Sequence, residues 1–183
     1  MQIDAASIAD VLIIRPKKHA DHRGFFSETF RASALAEAGV NLQWVQDNHS
    51  FSAARGVVRG LHFQRPPTAQ AKLLRVIRGA LFDVAVDIRK GSPTYGRHVG
   101  VELSADNWAQ IYVPAGFAHG FCTLTPDTEV LYKVSAPYTP SDEGGLLWDD
   151  PALGIEWPIS REEAVLAARD SEWPRLQEFV SPF

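Results

Sequence analysis

The stretch Leu81-Phe82-Asp83-Val84-Ala85-Val86-Asp87-Ile88 decides the fold class. Phe82, Val84, Val86 and Ile88 alternate with Leu81, Asp83, Ala85 and Asp87, the two-residue period of a strand rather than a helix. The same reading extends outward from it. Val99, Val101 and Leu103 alternate with His98, Gly100 and Glu102, and Gln110–Val113, Phe117–Leu124 and Thr128–Ser135 add short candidate strands. Turn formers punctuate them: Arg78-Gly79, Gly91-Ser92-Pro93, Ser104-Ala105-Asp106-Asn107, Pro114-Ala115-Gly116 and Pro126-Asp127. Short strands at this spacing, with almost no helix between them, predict an all-β antiparallel barrel or double-sheet jelly roll.

Helix signals are confined to the flanks. Ser33–Ala38 reads as a short helix closed by Gly39, and Ser160 with Glu163 forms a capping-box pattern ahead of a second candidate over Ala164–Ala168. The proline- and tryptophan-rich C-terminal third (Trp148, Pro151, Trp157, Pro158, Trp173, Pro174) is expected to wrap over the barrel. With no internal repeat, low-complexity tract or Ser/Gly linker, one domain over residues 1–183 is the simplest division.

Of 183 residues, 45% are hydrophobic, enough for a substantial core. The net charge of -4 argues against a general nucleic-acid or membrane-surface binder, though a few local arginines would still hold a small anion. Cys122 is the one cysteine, so no intrachain disulfide can form; it reads as a small core residue. No charged leader followed by a long apolar stretch is seen, which with the cysteine count predicts a soluble, cytoplasmic protein.

Three polar side chains fall on expected strands: His62 in Gly60-Leu61-His62-Phe63, His119 in Phe117-Ala118-His119-Gly120-Phe121, and Tyr132 in Val130-Leu131-Tyr132-Lys133-Val134. By period two, Phe117, His119, Phe121 and Thr123 share one side, as do Val130, Tyr132 and Val134. Each alone could be a core residue satisfied by backbone carbonyls. Together, two imidazoles and a phenol directed into one barrel are costly unless they bond to each other or to a ligand, and they can transfer protons. An enzyme is the reading that follows.

Pro114-Ala115-Gly116-Phe117-Ala118-His119 resembles the second motif of cupins, PxGxxH, in which the histidine of metal-binding members is a ligand. The first cupin motif would supply HxH, whereas this chain reads His62-Phe63-Gln64. A transition metal needs three or four donors around one point, so no metal is expected. More closely, the sequence resembles the dTDP-4-dehydrorhamnose 3,5-epimerases, a metal-independent cupin family, from about Asp21 to Asp170. The matching blocks are Asp21–Glu28, Gln46-Asp47-Asn48-His49-Ser50, Gly56–Gln64, Pro114–Phe121 and Ser141-Asp142-Glu143-Gly144, in that order. The resemblance implies a cupin-like jelly roll, a dTDP-4-keto-6-deoxyhexose substrate, no cofactor, and a homodimer whose N-terminal strand crosses into the partner.

It also implies roles. His62 would be the base, and a free imidazole titrates near neutrality. Asp170 would orient it, Tyr132 would deliver a proton to the opposite face, and Lys72 would meet the enolate oxygen. His119 would contact the sugar; Arg23, Arg59 and Arg169 would hold the pyrophosphate; Glu28, Gln46, Asn48 and Glu143 would make polar contacts; Tyr138 would stack on the base. A helix continued from Ser160 through Leu166-Ala167-Ala168-Arg169 would carry Asp170 away from His62, so its role depends on how that run folds.

Three other readings stand beside this one. A relative could invert only C3 or only C5, with the same His62 and Tyr132. A metal-dependent cupin such as a dioxygenase would be marked by stoichiometric iron. A non-catalytic sugar-nucleotide binding module would keep the arginines and Tyr138 without needing His62 and Tyr132.

Overall fold

The computed structural model describes residues 1–183. Thirteen strands run in chain order as β1 Gln2–Ala5, β2 Leu12–Arg15, β3 Lys18–Asp21, β4 Gly24–Ser27, β5 Gln46–Ser52, β6 Val58–Gln64, β7 Lys72–Arg78, β8 Ala80–Asp87, β9 His98–Ser104, β10 Gln110–Val113, β11 Phe117–Thr123, β12 Thr128–Val134 and β13 Glu143–Gly145. The five strands read from alternation and turn signals fall at β8 to β12, within two residues at each end.

A six-stranded sheet in the order β1-β2-β10-β7-β12-β5 faces a five-stranded sheet in the order β13-β6-β11-β8-β9, and β3 pairs with β4 as a separate hairpin. Every strand pairing is antiparallel. This is a cupin-like jelly roll. The facing inner surfaces bury a cluster that includes Leu74, Leu81, Ile111, Phe117, Phe121 and Val130.

β8 shows why alternation was the decisive signal. Leu81 and Ala85 point into the barrel, while Val84, Val86 and the following Ile88 join a second cluster with Leu61, Phe63 and Leu146 on the outer face. Ile155, Trp157, Leu176, Phe179 and Phe183 cover that outer cluster, so the C-terminal third does wrap the barrel. Burying a large apolar side chain contributes about 1.5–3 kcal/mol, and the wrap gives the five-stranded sheet a second apolar face to bury.

The first flanking helix, α1, spans Ala32–Glu37. Gly39 N donates to Ala36 O at 3.0 Å and Val40 N to Leu35 O at 2.8 Å, with Gly39 at φ +88°. That pair of hydrogen bonds around a left-handed glycine is the Schellman stop. The helix expected over Ala164–Ala168 does not form. Ser160 N does donate to Glu163 Oε2 at 2.9 Å, so half of the capping box exists. The chain then runs extended, because Val165 N donates to Gly56 O at 2.9 Å and Val58 N to Val165 O at 3.0 Å. Those tertiary bonds take the backbone groups a helix would have used. A 3-10 turn follows at Ala168–Ser171. No helix is long and apolar enough to cross a membrane.

Candidate active site

One register shift shapes the cleft. His119 lies opposite His62 and Phe121 opposite Arg59, so three residues of β6 span what two of β11 span. Strict alternation would put Arg59 and His62 on opposite faces; the extra residue returns both to the cleft side of the sheet, His62 half-buried and Arg59 exposed. Gly60, at φ +132°, sits in the bulge. A Cβ there would lie 2.5 Å from Gly120 Cα, and one on Gly120 would lie 2.6 Å from Arg59 O. The two glycines let β6 and β11 touch, and the histidines that flank the contact become neighbours.

His62 Nε2 donates to Asp170 Oδ1 at 2.6 Å, with the Asp170 side chain 3% exposed. The extended run that replaced the expected helix, followed by the 3-10 turn, delivers that carboxylate. Gly60 N donates to its other oxygen at 3.4 Å, and Arg169 Nε lies 3.7 Å from Oδ1. Burial pushes the Asp170 carboxyl up, but the His62 bond and charge, the Gly60 N–H and Arg169 outweigh it and hold the group below its usual range. With the Nε2 proton directed at the carboxylate, the Nδ1 lone pair of neutral His62 is free to act as a base. The Trp173 ring meets the imidazole edge-on, with centroids 6.2 Å apart.

His119 has its own acid. Its Nε2 lies 2.9 and 3.0 Å from the two oxygens of Asp83, which is fully buried on β8. Asp83 was not among the expected site residues. The available signal was a carboxylate in phase with Leu81 and Ala85, on the face that β8 turns inward.

The six-stranded sheet forms the facing wall. Tyr132 on β12 lies opposite Leu74 of β7 and Asn48 of β5. Its phenol is pushed up by burial, which the positive charge of Arg59 partly offsets, so it remains protonated at neutrality. Lys72 on β7 donates from Nζ to His62 O at 3.4 Å. Burial pushes its ammonium down to about 8 against the pull of Asp83 and Glu143.

These side chains line one cleft of about 370 Å³, which brings together Arg59, His62, Lys72, His119, Tyr132, Arg169 and Asp170. An adjoining lobe of about 390 Å³ shares His62, Lys72, Tyr132 and Arg169 and adds Gln46, Asn48, Tyr138 and Glu143. At its rim Glu143 Oε2 accepts from Tyr138 OH at 3.1 Å and Arg169 Nη1 at 2.9 Å, while Gln46 links Tyr138 N to Asn48. Arg23 and Glu28 line neither lobe. Arg23 pairs with Asp21 beside it in the β3–β4 hairpin at 2.6 Å, and Glu28 pairs with Arg31 at 3.5 Å.

Gln64, where HxH would place a second histidine, has its amide fully engaged. It donates to Thr68 O at 2.7 Å and Pro137 O at 3.1 Å and accepts from Thr139 N at 2.7 Å. No group of three or more His, Cys, Asp or Glu is placed to hold a metal ion.

The family described as dTDP-4-dehydrorhamnose 3,5-epimerase matches residues 5–178. The dTDP-4-dehydrorhamnose 3,5-epimerase of Sinorhizobium fredii is 55% identical over 100% of this chain and 93% of its own length. Among solved structures, the dTDP-6-deoxy-D-glucose-3,5-epimerase of Legionella pneumophila, in complex with dTDP-4-keto-L-rhamnose, superposes with a TM-score of 0.93 at 42% identity, covering 98% of this chain and 94% of that one. A 3'-monoepimerase of Streptomyces bikiniensis, in complex with dTDP-quinovose, gives a TM-score of 0.88 at 38% identity, covering 94% and 87%. Read with the cleft and its two histidine–carboxylate pairs, these likenesses agree: the chain belongs to the dTDP-4-dehydrorhamnose 3,5-epimerase family.

Proposed function

We propose that this protein inverts C3 and C5 of dTDP-4-dehydro-6-deoxy-D-glucose to give dTDP-4-dehydro-L-rhamnose, a step of dTDP-L-rhamnose biosynthesis. The observation that carries the reading is the presence of His62, backed by Asp170, and Tyr132 on facing sheets of one cleft. The C3 and C5 protons both adjoin the C4 ketone, so removal of either leaves an enolate. His62 Nδ1 takes the proton, and the imidazolium it becomes is stabilised by Asp170. The Lys72 ammonium meets the enolate oxygen, and Tyr132 returns a proton from the opposite face. The ketone is the electron sink, so no cofactor enters the scheme. His119, held by Asp83, contacts the sugar or keto region.

The second lobe would take the nucleotide. Arg169 in that lobe and Arg59 in the adjoining one face the pyrophosphate, Tyr138 stacks on the base, and Gln46, Asn48 and Glu143 bond to polar groups around it. Arg23 and Glu28 lie outside the cleft of their own chain, and their hairpin carries Phe25 and Phe26, 55% and 71% exposed. Both facts support a homodimer in which each hairpin serves the neighbouring cleft.

The test is an incubation of purified protein with dTDP-4-keto-6-deoxyglucose in heavy water, read by NMR and mass. Deuterium at both C3 and C5, with inversion at each and no loss after chelation, supports the assignment. Label confined to one carbon would make the protein a monoepimerase. The higher identity to the Sinorhizobium fredii 3,5-epimerase than to the 3'-monoepimerase favours the first outcome.

A further inference from the structure

We infer that Ser52 is a positioning residue that aims Arg59 at a phosphoryl group of the ligand; this rests on the reading of the cleft as a sugar-nucleotide site. Ser52 ends β5 on the barrel's inner face and is 3% exposed. A hydroxyl in such a place is normally bonded, and alanine would otherwise pack there at no polar cost. Its Oγ has one hydrogen-bond partner in the chain, Arg59 Nε, at 3.3 Å. Arg59 Nη2 donates to the neighbouring backbone, Phe51 O, at 3.0 Å.

The choice of atoms is informative. Nε and Nη2 form the lateral edge of the planar guanidinium, and both its donors are spent on β5. What remains is Nη1 with the second N–H of Nη2, the terminal edge, whose parallel donors match two oxygens of one phosphoryl group. Arg59 is also the residue that the bulge beside Gly60 turns into the cleft. The bulge brings in the arginine, and β5 sets the direction of its free edge. A guanidinium held this way loses little rotamer freedom when an anion arrives.

Threonine and valine at position 52 have the same shape and differ only in the hydroxyl, so their comparison removes the bond without changing the packing. Calorimetric titration with dTDP is run on Ser52→Thr and Ser52→Val, each with Arg59 present and in an Arg59→Met background. With Arg59 present, Ser52→Val should bind dTDP about fivefold to tenfold more weakly than Ser52→Thr, the fold-change of one hydrogen bond of ordinary net strength. In the Arg59→Met background the two should bind alike. With dTDP-4-keto-6-deoxyglucose, the loss should appear in KM while kcat agrees within about twofold. An equal Thr-to-Val difference in both backgrounds, no difference with Arg59 present, or wild-type affinity in Arg59→Met alone would each overturn the inference. Failure of the wild-type protein to bind dTDP would instead overturn the functional reading beneath it.

Discussion

Replacing Asp170 with asparagine isolates the contribution of one charge to proton abstraction. The amide oxygen can still accept from His62 Nε2, so the imidazole keeps its orientation and its free Nδ1, and besides the charge only the long 3.4 Å bond from Gly60 N to the other oxygen is lost. What disappears is the negative charge that faces the imidazolium after it takes the proton. For charge centres about 4 Å apart at an effective dielectric of about 20, the attraction is about 4 kcal/mol. His62 is 19% exposed and opens on the cleft, so solvent screens part of it. A working loss of about 2–3 kcal/mol corresponds to a fall in kcat of about 100-fold. KM should hardly move, because Asp170 lies behind the histidine rather than against the ligand. The assay is the rate of deuterium entry at C3 and C5 under saturating dTDP-4-keto-6-deoxyglucose, followed by NMR. A variant that exchanges within threefold of wild type, or one that loses KM at constant kcat, would remove Asp170 from the chemistry.

Lys72 gives a pH signature. If its ammonium meets the enolate oxygen as proposed, kcat/KM should fall as pH rises through about 8; Lys72→Arg should carry activity past that limb, and Lys72→Met should be nearly inactive at every pH. Tyr132→Phe should still exchange deuterium but lose inversion, and normal epimerisation by that variant would show that another acid serves. Asp87 is fully buried; burial pushes its carboxyl up, but Arg89, Ser92 and Thr94 outweigh that and hold it well below the usual range. A depressed carboxylate adds stability above its unfolded pKa of about 4 and loses it as pH falls through the folded value. Arg89→Met should therefore cost about 3 kcal/mol in urea denaturation at pH 7, with the gap to wild type narrowing in acid. Gly120→Ala forces a Cβ to 2.6 Å from Arg59 O and should lower stability by about 2–3 kcal/mol, displacing Arg59 and His62 with it; unchanged melting and turnover would refute the close-contact argument.

What could be read from the chain follows from what each strand faces. β8 and β9 turn alternate residues into the apolar core, so hydrophobic alternation exposed them, while β10 and β11 are buried throughout and stood out as short apolar runs between turn formers. β5 reads Gln46-Asp47-Asn48-His49-Ser50-Phe51-Ser52, and its inner face is Gln46, Asn48, Ser50 and Ser52. A strand that lines a polar cleft has no apolar period to detect, and only its match to a family block drew notice to it. The same blindness hid Asp83, which looked like the polar half of an alternating strand and lies under His119. The helix expected after Ser160 failed for another reason. The capping box is local and forms in part, but the partner that captures Val165 is the edge of β6, more than a hundred residues earlier. No window of sequence around Ser160 contains that competitor.

That mistaken helix bears directly on function. A helix over Ala164–Ala168 advances about 1.5 Å per residue, whereas extended chain covers about 3.3 Å, so the extended run carries the following turn roughly twice as far. Pairing with Val57 starts the run beside Arg59 and His62 on β6, and the turn at Ala168–Ser171 ends it with Asp170 against the imidazole. The same backbone bonds that extinguish the helix thus assemble the histidine–carboxylate pair. Proline at position 165 would remove the N–H donated to Gly56 O while tolerating extended φ, and should detach Asp170 without disturbing Tyr132 or Lys72. Its kcat should then fall about as far as in Asp170→Asn, with no further loss when both changes are combined. If the two losses multiplied instead, the strap and the carboxylate would be separate devices, with no coupling between the wrap and the base.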